Sequence, residues 1–505
     1  MKYLNVDIKL KNIPELDKNY IPLSRFIEAF LETAKKPISI AVERNADSIS
    51  RFDTYIHGTE EMKEADKFYI ERIIKFLLWA KGGHKIYIGG DENIAEFIKE
   101  EYSKTGKRAF DNKFMEKIYE NKFEVISKKI EDIPQEKECS KSVGRHLEGC
   151  RIGFDAGGSD RKVSAVIDGK TIYSEETVWF PKTNSDPEYH YNGILESFKK
   201  AASKMPRVDA IGVSSAGVYV DNKTMVASLF IKVPEDVFNE KVKEIYIRAA
   251  KEIGENIPIE VANDGDVTAL AGAMSLNDNA ILGIAMGTSQ AAGFVNENGN
   301  ITGWLNEFAF CPVDASNKAM EDEWSGDIGC GVKYFSQDAV IKLAANANIE
   351  LDENLSPAEK LKVVQKLVEE DDERAIKIYE AIGYYLAYST ALYTMFYKIK
   401  HILLLGRVMS GKGGDIILNT AKKILKEEYP EIAKEINIQT PDEKARRVGQ
   451  SVAAASLPEI NWYYKMGGYT VCINCPFIMH SNSLYIHRGF DMYSLVFENT
   501  FALQY

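Results

Sequence analysis

Arg151-Ile-Gly-Phe-Asp155-Ala-Gly-Gly-Ser-Asp160 is a short apolar run that ends in an aspartate and two glycines. The run predicts a strand. Lys162 to Asp168 predicts its partner, turned at Gly169 toward a third strand over Thr171 to Thr177. Gly157 and Gly158 carry no Cβ, so backbone N–H groups of the turn can approach phosphate oxygens, and Ser159 adds a hydroxyl. Asp155, at the strand end, suits Mg²⁺ held through water. Taken alone, the same residues make a plain hairpin turn.

Working outward, other strands end the same way. Ala210 to Ser214 runs into Ser215-Ala-Gly217, Ile259 to Ala262 into Asn263-Asp264, and Ala280 to Met286 into Gly287-Thr288-Ser289. Ligands of open α/β sheets bind beyond the carboxyl ends of strands, so these clusters predict one cleft. Gly287-Thr288-Ser289 is a second phosphate turn, suited to the β- and γ-phosphates. Asp264 is the acid–base candidate, a carboxylate able to take a proton from an attacking hydroxyl. Helix capping is the plainer role for Asn263 and Asp264, and Asp266 competes as both cap and base. Gly406-Arg-Val-Met-Ser-Gly411-Lys412-Gly413 fits GxxxxGK, but a P-loop needs Ser or Thr where Gly413 stands. A glycine turn packed against an adenosine, with Gly406 and Gly411 giving the close approach, fits better.

Composition bounds the rest. A chain of 505 residues predicts about three domains. The formal net charge of −12 argues against a nucleic-acid partner, which would need a basic face. Met1 to Leu16 mixes charged and apolar residues, so no secretory signal is expected. Ala381 to Tyr397 approaches the length of a membrane span but is rich in tyrosine, and a buried core helix is expected there. Six cysteines without an export signal predict reduced thiols in a cytoplasmic protein, and Cys472-x-x-Cys475 lacks a second pair for a metal site.

The chain divides into residues 1–140, an α/β unit of unassigned role; 150–275, with the first phosphate turn and Asp264; 276–441, with the second turn and the adenosine loop; a closing helix over 442–458; and an atypical aromatic tail, 459–505, expected to pack poorly. In the first unit, strands are expected at Ile38–Glu43 and His84–Gly89. Helices are expected at Glu61–Ala80, stopped by Gly82-Gly83, and at Ile94–Ser103. Ser127 to Glu148 reads as a linker.

The order of these pieces resembles the actin-like sugar kinase superfamily, and residues 151–458 resemble its ROK family (repressor, open reading frame, kinase). The resemblance implies an α/β, two-lobed actin-like ATPase (ribonuclease H-like) fold, with the N-terminal α/β domain as an addition. It implies ATP with Mg²⁺, a small sugar of the hexose or amino-sugar class, no membrane, and a homodimer. Ile211-Gly-Val-Ser-Ser-Ala-Gly217 is similar to the family's strand before the sugar site, which brings in Ser215 and Gly217. Val261-Ala-Asn-Asp-Gly-Asp266 is similar to its catalytic segment, which makes Asp264 the base and Asn263 a sugar contact. Leu305-Asn-Glu-Phe-Ala-Phe310 is similar to Gly-Glu-x-Gly-His, which makes Glu307 a sugar contact. Ile328 to Ser336 is similar to the end of the family's zinc segment. Phe310 stands where that pattern has histidine, and Cys330 alone remains of its cysteines, so no zinc is expected. Ser289-Gln-Ala-Ala replaces a glycine-richer run. These departures keep a second reading open, a non-catalytic sugar or nucleotide sensor. A faint strand–glycine–helix echo at Phe76 to Gly90 raises the further idea of an extra, degenerate actin-like half.

Overall fold

Two sheets share one plan. In the first, strand Cys150–Ala156 pairs antiparallel with Asp160–Ile167 and parallel with Ala210–Ser215, which pairs parallel with Ile259–Asn263. Lys170–Val178 adds an outer antiparallel strand. In the second, Ile281–Met286 pairs antiparallel with Gln290–Val295 and parallel with His401–Leu405, which pairs parallel with Asn437–Gln439. The computed structural model describes residues 1–45, 48–138, 143–441 and 443–460, the side chains of 443–448 excepted, and beyond these the backbone of five short strands between 463 and 495.

The helix leaving each sheet crosses to the other. Asp264–Leu276 packs on Ile281–Met286 and Gln290–Val295, while Glu443–Ala455 packs on Cys150–Ala156 and Ala210–Ser215, and the two helices also pack on each other. Glycines permit this. A Cβ on Gly212 would lie 1.6 Å from the Ala454 carbonyl oxygen, and one on Gly293 2.1 Å from the Gly265 backbone. The opposite face of the first sheet is covered by Pro187–Ala202 and Ile245–Lys251, which close a separate apolar core around Phe154, Phe198 and Tyr246. The fold is therefore the two-lobed actin-like one expected, with all the strand ends of interest at the junction of the lobes.

The N-terminal unit differs from both sheets. Its strands lie in the order Ile49–Ile56, Lys36–Glu43, Lys85–Gly89, Glu124–Lys128. Lys36–Glu43 is antiparallel to both neighbours, so the parallel central pair of an actin-like half is missing, which corrects the idea of a degenerate third half. The unit is not separate from the second lobe: one apolar core runs from Val6 through helix Lys63–Ala80 to Tyr385 and Ile438. The stretch expected to be a linker begins as strand Glu124–Lys128. Lys137 bridges to Ile49, and Glu138 accepts hydrogen bonds from Arg44 and Ser50. Residues 139–142 lie outside the described residues.

Helix Glu373–Tyr393 is buried along most of its length, as expected of a core helix. Among the described residues, no helix is long and apolar enough to cross a membrane. In the tail, Tyr463–Met466 pairs with Tyr469–Cys472, and Phe477–His480, Ser483–Arg488 and Asp491–Leu495 form a three-stranded sheet, where no strand pattern was legible. The Cys472/Cys475 thiols lie outside the described residues.

Candidate functional site

Parallel pairing sets Asp155 beside Ser214, and Ser215 beside both Ala156 and Asn263. The carboxyl ends of three strands thus present their polar residues together. Ser214 Oγ donates to Asp155 Oδ1 at 3.0 Å. Asn263 caps the next helix by accepting from Gly265 N at 2.8 Å, and its Nδ2 donates to the Gly217 carbonyl at 2.7 Å. Capping and site-building are thus one role.

Two aspartates on one helix turn have opposite fates. Asp266 is buried, and its Oδ1 accepts from Phe294 N at 3.0 Å and Asn306 Nδ2 at 2.9 Å. It is a strut between the lobes. Asp264 is partly open, and its carboxylate accepts from Gly265 N at 3.0 Å. Burial pushes its pKa up. Glu307 faces it from the second lobe. Burial, then the charges of Asp264 and Asp266, push Glu307 up to about 7. Among the described residues, the Glu307 carboxylate has no hydrogen-bond or ion-pair partner. Asp155 is pushed up to about 6, by burial first and then by Asp264, although the Ser214 hydroxyl opposes this. The Asp264 charge is therefore felt by both Asp155 and Glu307.

Both glycine turns expected to hold phosphates are formed as turns. The Gly157 carbonyl accepts from Trp179 Nε1 at 2.7 Å, and the Ser159 carbonyl accepts from Trp179 N at 3.1 Å. Gly158 and Ser159 are exposed, and Ser159 Oγ donates to Asp160 at 3.1 Å. In the second lobe, Gly287 N bonds to the Ser289 carbonyl at 2.9 Å, leaving Thr288 and Ser289 exposed. Gly406 has φ +95°, and a Cβ there would lie 2.3 Å from the Met286 carbonyl oxygen, so only glycine allows the adenosine-type loop to sit against the second turn. Gly411, at φ +68°, opens helix Lys412–Glu428. Lys412, the lysine of the GxxxxGK pattern, is paired with Asp371, so that pattern is a glycine turn and not a phosphate loop.

One expected contact is corrected. Ser215 is fully buried, and its hydroxyl is held by Tyr246 OH at 2.9 Å and Tyr219 OH at 2.6 Å. It braces the strand end from within and does not face a ligand. Two cations were missed. Lys182 is exposed and lies against the first turn: a Cβ on Gly158 would be 3.2 Å from Lys182 Nζ, and the lysine's charge acts to lower Asp264. Arg407 Nη2 donates to Thr288 Oγ1 at 2.7 Å. Lys182 stands in a segment with no pattern to mark it, and Arg407 lies unremarked inside the glycine turn that begins at Gly406.

The segment similar to a zinc site is filled in another way. Phe310 packs on Trp79, ring centroids 4.2 Å apart. Cys330 is fully buried, its thiol 3.7 Å from Asp327 Oδ2 and pushed up by burial, a protonated sulfur and not a thiolate ligand. Asp327 instead meets Arg72 at 2.9 Å, Lys75 at 3.2 Å and Arg108 at 2.6 Å, with Glu71 and Asp111 completing a buried set of three cations and three anions. A cavity of about 270 Å³ is lined by Gly217, Asn263, Asp266 and Trp304 and, from the N-terminal unit, by Arg44, Asn45 and Tyr119, and not by Asp155, Asp264 or Glu307.

The ROK family matches residues 151–452. Similar solved structures include a ROK family glucokinase from Streptomyces griseus in complex with glucose and AMPPNP (18% identity, 61% of this chain and 98% of that one, TM-score 0.44). A ROK hexokinase from Thermus thermophilus is 16% identical over 61% of this chain and 97% of its own, with a TM-score of 0.46. A ROK family transcriptional regulator, a homologue of the Escherichia coli MLC protein, is 16% identical over 62% and 79%, with a TM-score of 0.46. No curated protein matches the sequence.

Proposed function

The chain belongs to the ROK family, and from that premise we propose that it transfers the γ-phosphoryl group of ATP to a hydroxyl of a small sugar, with Asp264 as general base. The observation that carries the proposal is the contrast within one helix turn: Asp266 is tied to Phe294 and Asn306, whereas Asp264 opens toward the cleft opposite Glu307, which has no hydrogen-bond or ion-pair partner among the described residues. The sugar would sit against Gly217, Asn263 and Glu307. ATP would lie between the turns at Gly157–Ser159 and Gly287–Ser289, with its adenosine beside Gly406–Gly411.

The sugar oxygen attacks the γ-phosphorus as its proton passes to Asp264. The new O–P bond forms, the bond to the β-phosphate oxygen breaks, and ADP leaves. Most of the rate comes from positioning and charge stabilisation. Lys182 and Arg407 stand on either side to neutralise phosphate charge. Asp155 fits a Mg²⁺ site, since burial and the nearby Asp264 charge hold its carboxyl up and a cation would relieve both. Bound Mg²⁺ would draw its other oxygens from phosphate and water and would offset charge on the phosphates.

The test is ADP release by the purified chain with ATP and Mg²⁺ against glucose, mannose, N-acetylmannosamine and other aldoses and ketoses. Sugar-dependent ADP is expected. Sugar binding without ADP formation favours the sensor, a reading supported by the altered run after Ser289, where Gln290 is buried and so removed from a ligand.

A further inference from the structure

Helix Lys63–Ala80 ends at Gly82, where φ is +86° and a Cβ would strike the Tyr119 hydroxyl at 1.9 Å. The carbonyls of a helix's last turn need partners from elsewhere. Here they come from the segment that carries Glu307. Glu307 N donates to the Trp79 carbonyl at 2.9 Å, Asn306 N to Ala80 at 3.0 Å, and Leu305 N to Lys81 at 3.4 Å. The N-terminal unit thus holds the backbone of a proposed sugar contact.

Asn306 is the centre of this junction. It is 2% exposed and has φ +52°, a backbone state that asparagine tolerates far better than most residues. Its Nδ2 donates to Asp266 at 2.9 Å, and its Oδ1 lies 2.9 Å from the Tyr397 hydroxyl, itself 3.1 Å from the Ala80 carbonyl. One residue therefore joins the N-terminal helix through its backbone N–H, and the helix that begins at Asp264 and Tyr397 of the second lobe through its side chain. The helix it caps is in turn fixed by the buried Glu71, Arg72 and Lys75.

We propose that Asn306 is a positioning residue through which the N-terminal unit sets the place of Glu307. On this view residues 1–140 are a working part of the substrate site. The inference rests on the reading of Glu307 as a sugar contact.

Three variants test it. Asn306→Gly keeps the left-handed backbone and loses the side-chain bonds, Asn306→Ala loses both, and Tyr397→Phe keeps the ring and removes one donor. Titration with glucose, mannose and N-acetylmannosamine in the presence of AMPPNP is paired with hydrogen exchange of residues 303–311 and 286–295. Asn306→Gly is expected to weaken sugar binding by about tenfold, and Tyr397→Phe by about threefold, as loss of one or two buried hydrogen bonds implies. AMPPNP affinity should stay within about twofold. Exchange should quicken in 303–311 and not in 286–295. A purely structural role would lower melting temperature and leave sugar affinity unchanged. Wild-type binding that survives both Asn306→Gly and Tyr397→Phe overturns this inference alone. A wild-type chain that binds none of the sugars overturns the sugar-site reading and this inference with it.

Discussion

The two central sheets repeat one topology, yet their strand ends differ. Where the first presents Asp155 and Ser214, the second presents Ala285 and Leu405 at matching places, and Asn263-Asp264 follow in the first lobe. The first lobe carries the acids. The second offers a hydroxyl turn, an apolar floor and, on a later loop, Glu307. On the proposed reading the duplicated plan is divided, with proton transfer on one side and nucleotide and sugar positioning shared across the junction. The helices exchanged between the lobes make that division work, because Asp264 opens the helix that packs on the other sheet.

The strongest way to break this division lies within the first lobe. Asp264→Asn should cut turnover by about 10³-fold while AMPPNP binding is kept. Asp266→Asn should lower the melting temperature and keep turnover within about tenfold, since Asp266 serves as a strut. Steady-state kinetics beside thermal melts check both, and equal losses at the two positions would erase the contrast. Next, Lys182→Met should lower kcat by about 10- to 100-fold, as expected for a lost charge contact to the transferring group. The second lobe should respond through binding. Arg407→Met should raise the KM for ATP by about five- to tenfold and leave the KM for sugar alone, read from initial rates.

The smallest effect concerns stability. Glu307 is raised from an ordinary 4.5 to about 7 by burial and by Asp264 and Asp266. A carboxyl raised on folding stabilises below its unfolded pKa, and that stability is lost as pH climbs through the folded value. Glu307→Gln should therefore be more stable than the wild type at pH 8, by about 1–3 kcal/mol, with the difference gone near pH 4. Urea melts at the two pH values check the sign. A variant less stable at pH 8 would mean that the glutamate has a partner after all.

Much of the two lobes was legible because their information is local. Alternation and glycine punctuation mark the hairpin at Asp155, the turn at Gly287 and the strand before Asn263. The N-terminal unit was legible only as a list of elements. It is anchored through Glu71, Arg72 and Lys75 of helix Lys63–Ala80, which are buried against Arg108, Asp111 and Asp327, the last some 250 residues away along the chain and so beyond any local pattern. Ser215 misled for the same reason: its partners Tyr219 and Tyr246 are fixed by tertiary packing. Asn306 stands where the Gly-Glu pattern has glycine. The position has a positive φ, its side chain bonds Asp266 and Tyr397, and its backbone N–H reaches the Ala80 carbonyl of the N-terminal helix.

Phosphorus-31 spectra of a mixture of the chain, ATP, Mg²⁺ and the sugar that elicits ADP test the central claim most directly. The division of labour drawn above predicts a sugar-phosphate resonance that grows in step with ADP and is absent with Asp264→Asn. ADP accompanied only by inorganic phosphate, or a sugar phosphate formed at an undiminished rate by Asp264→Asn, would contradict it.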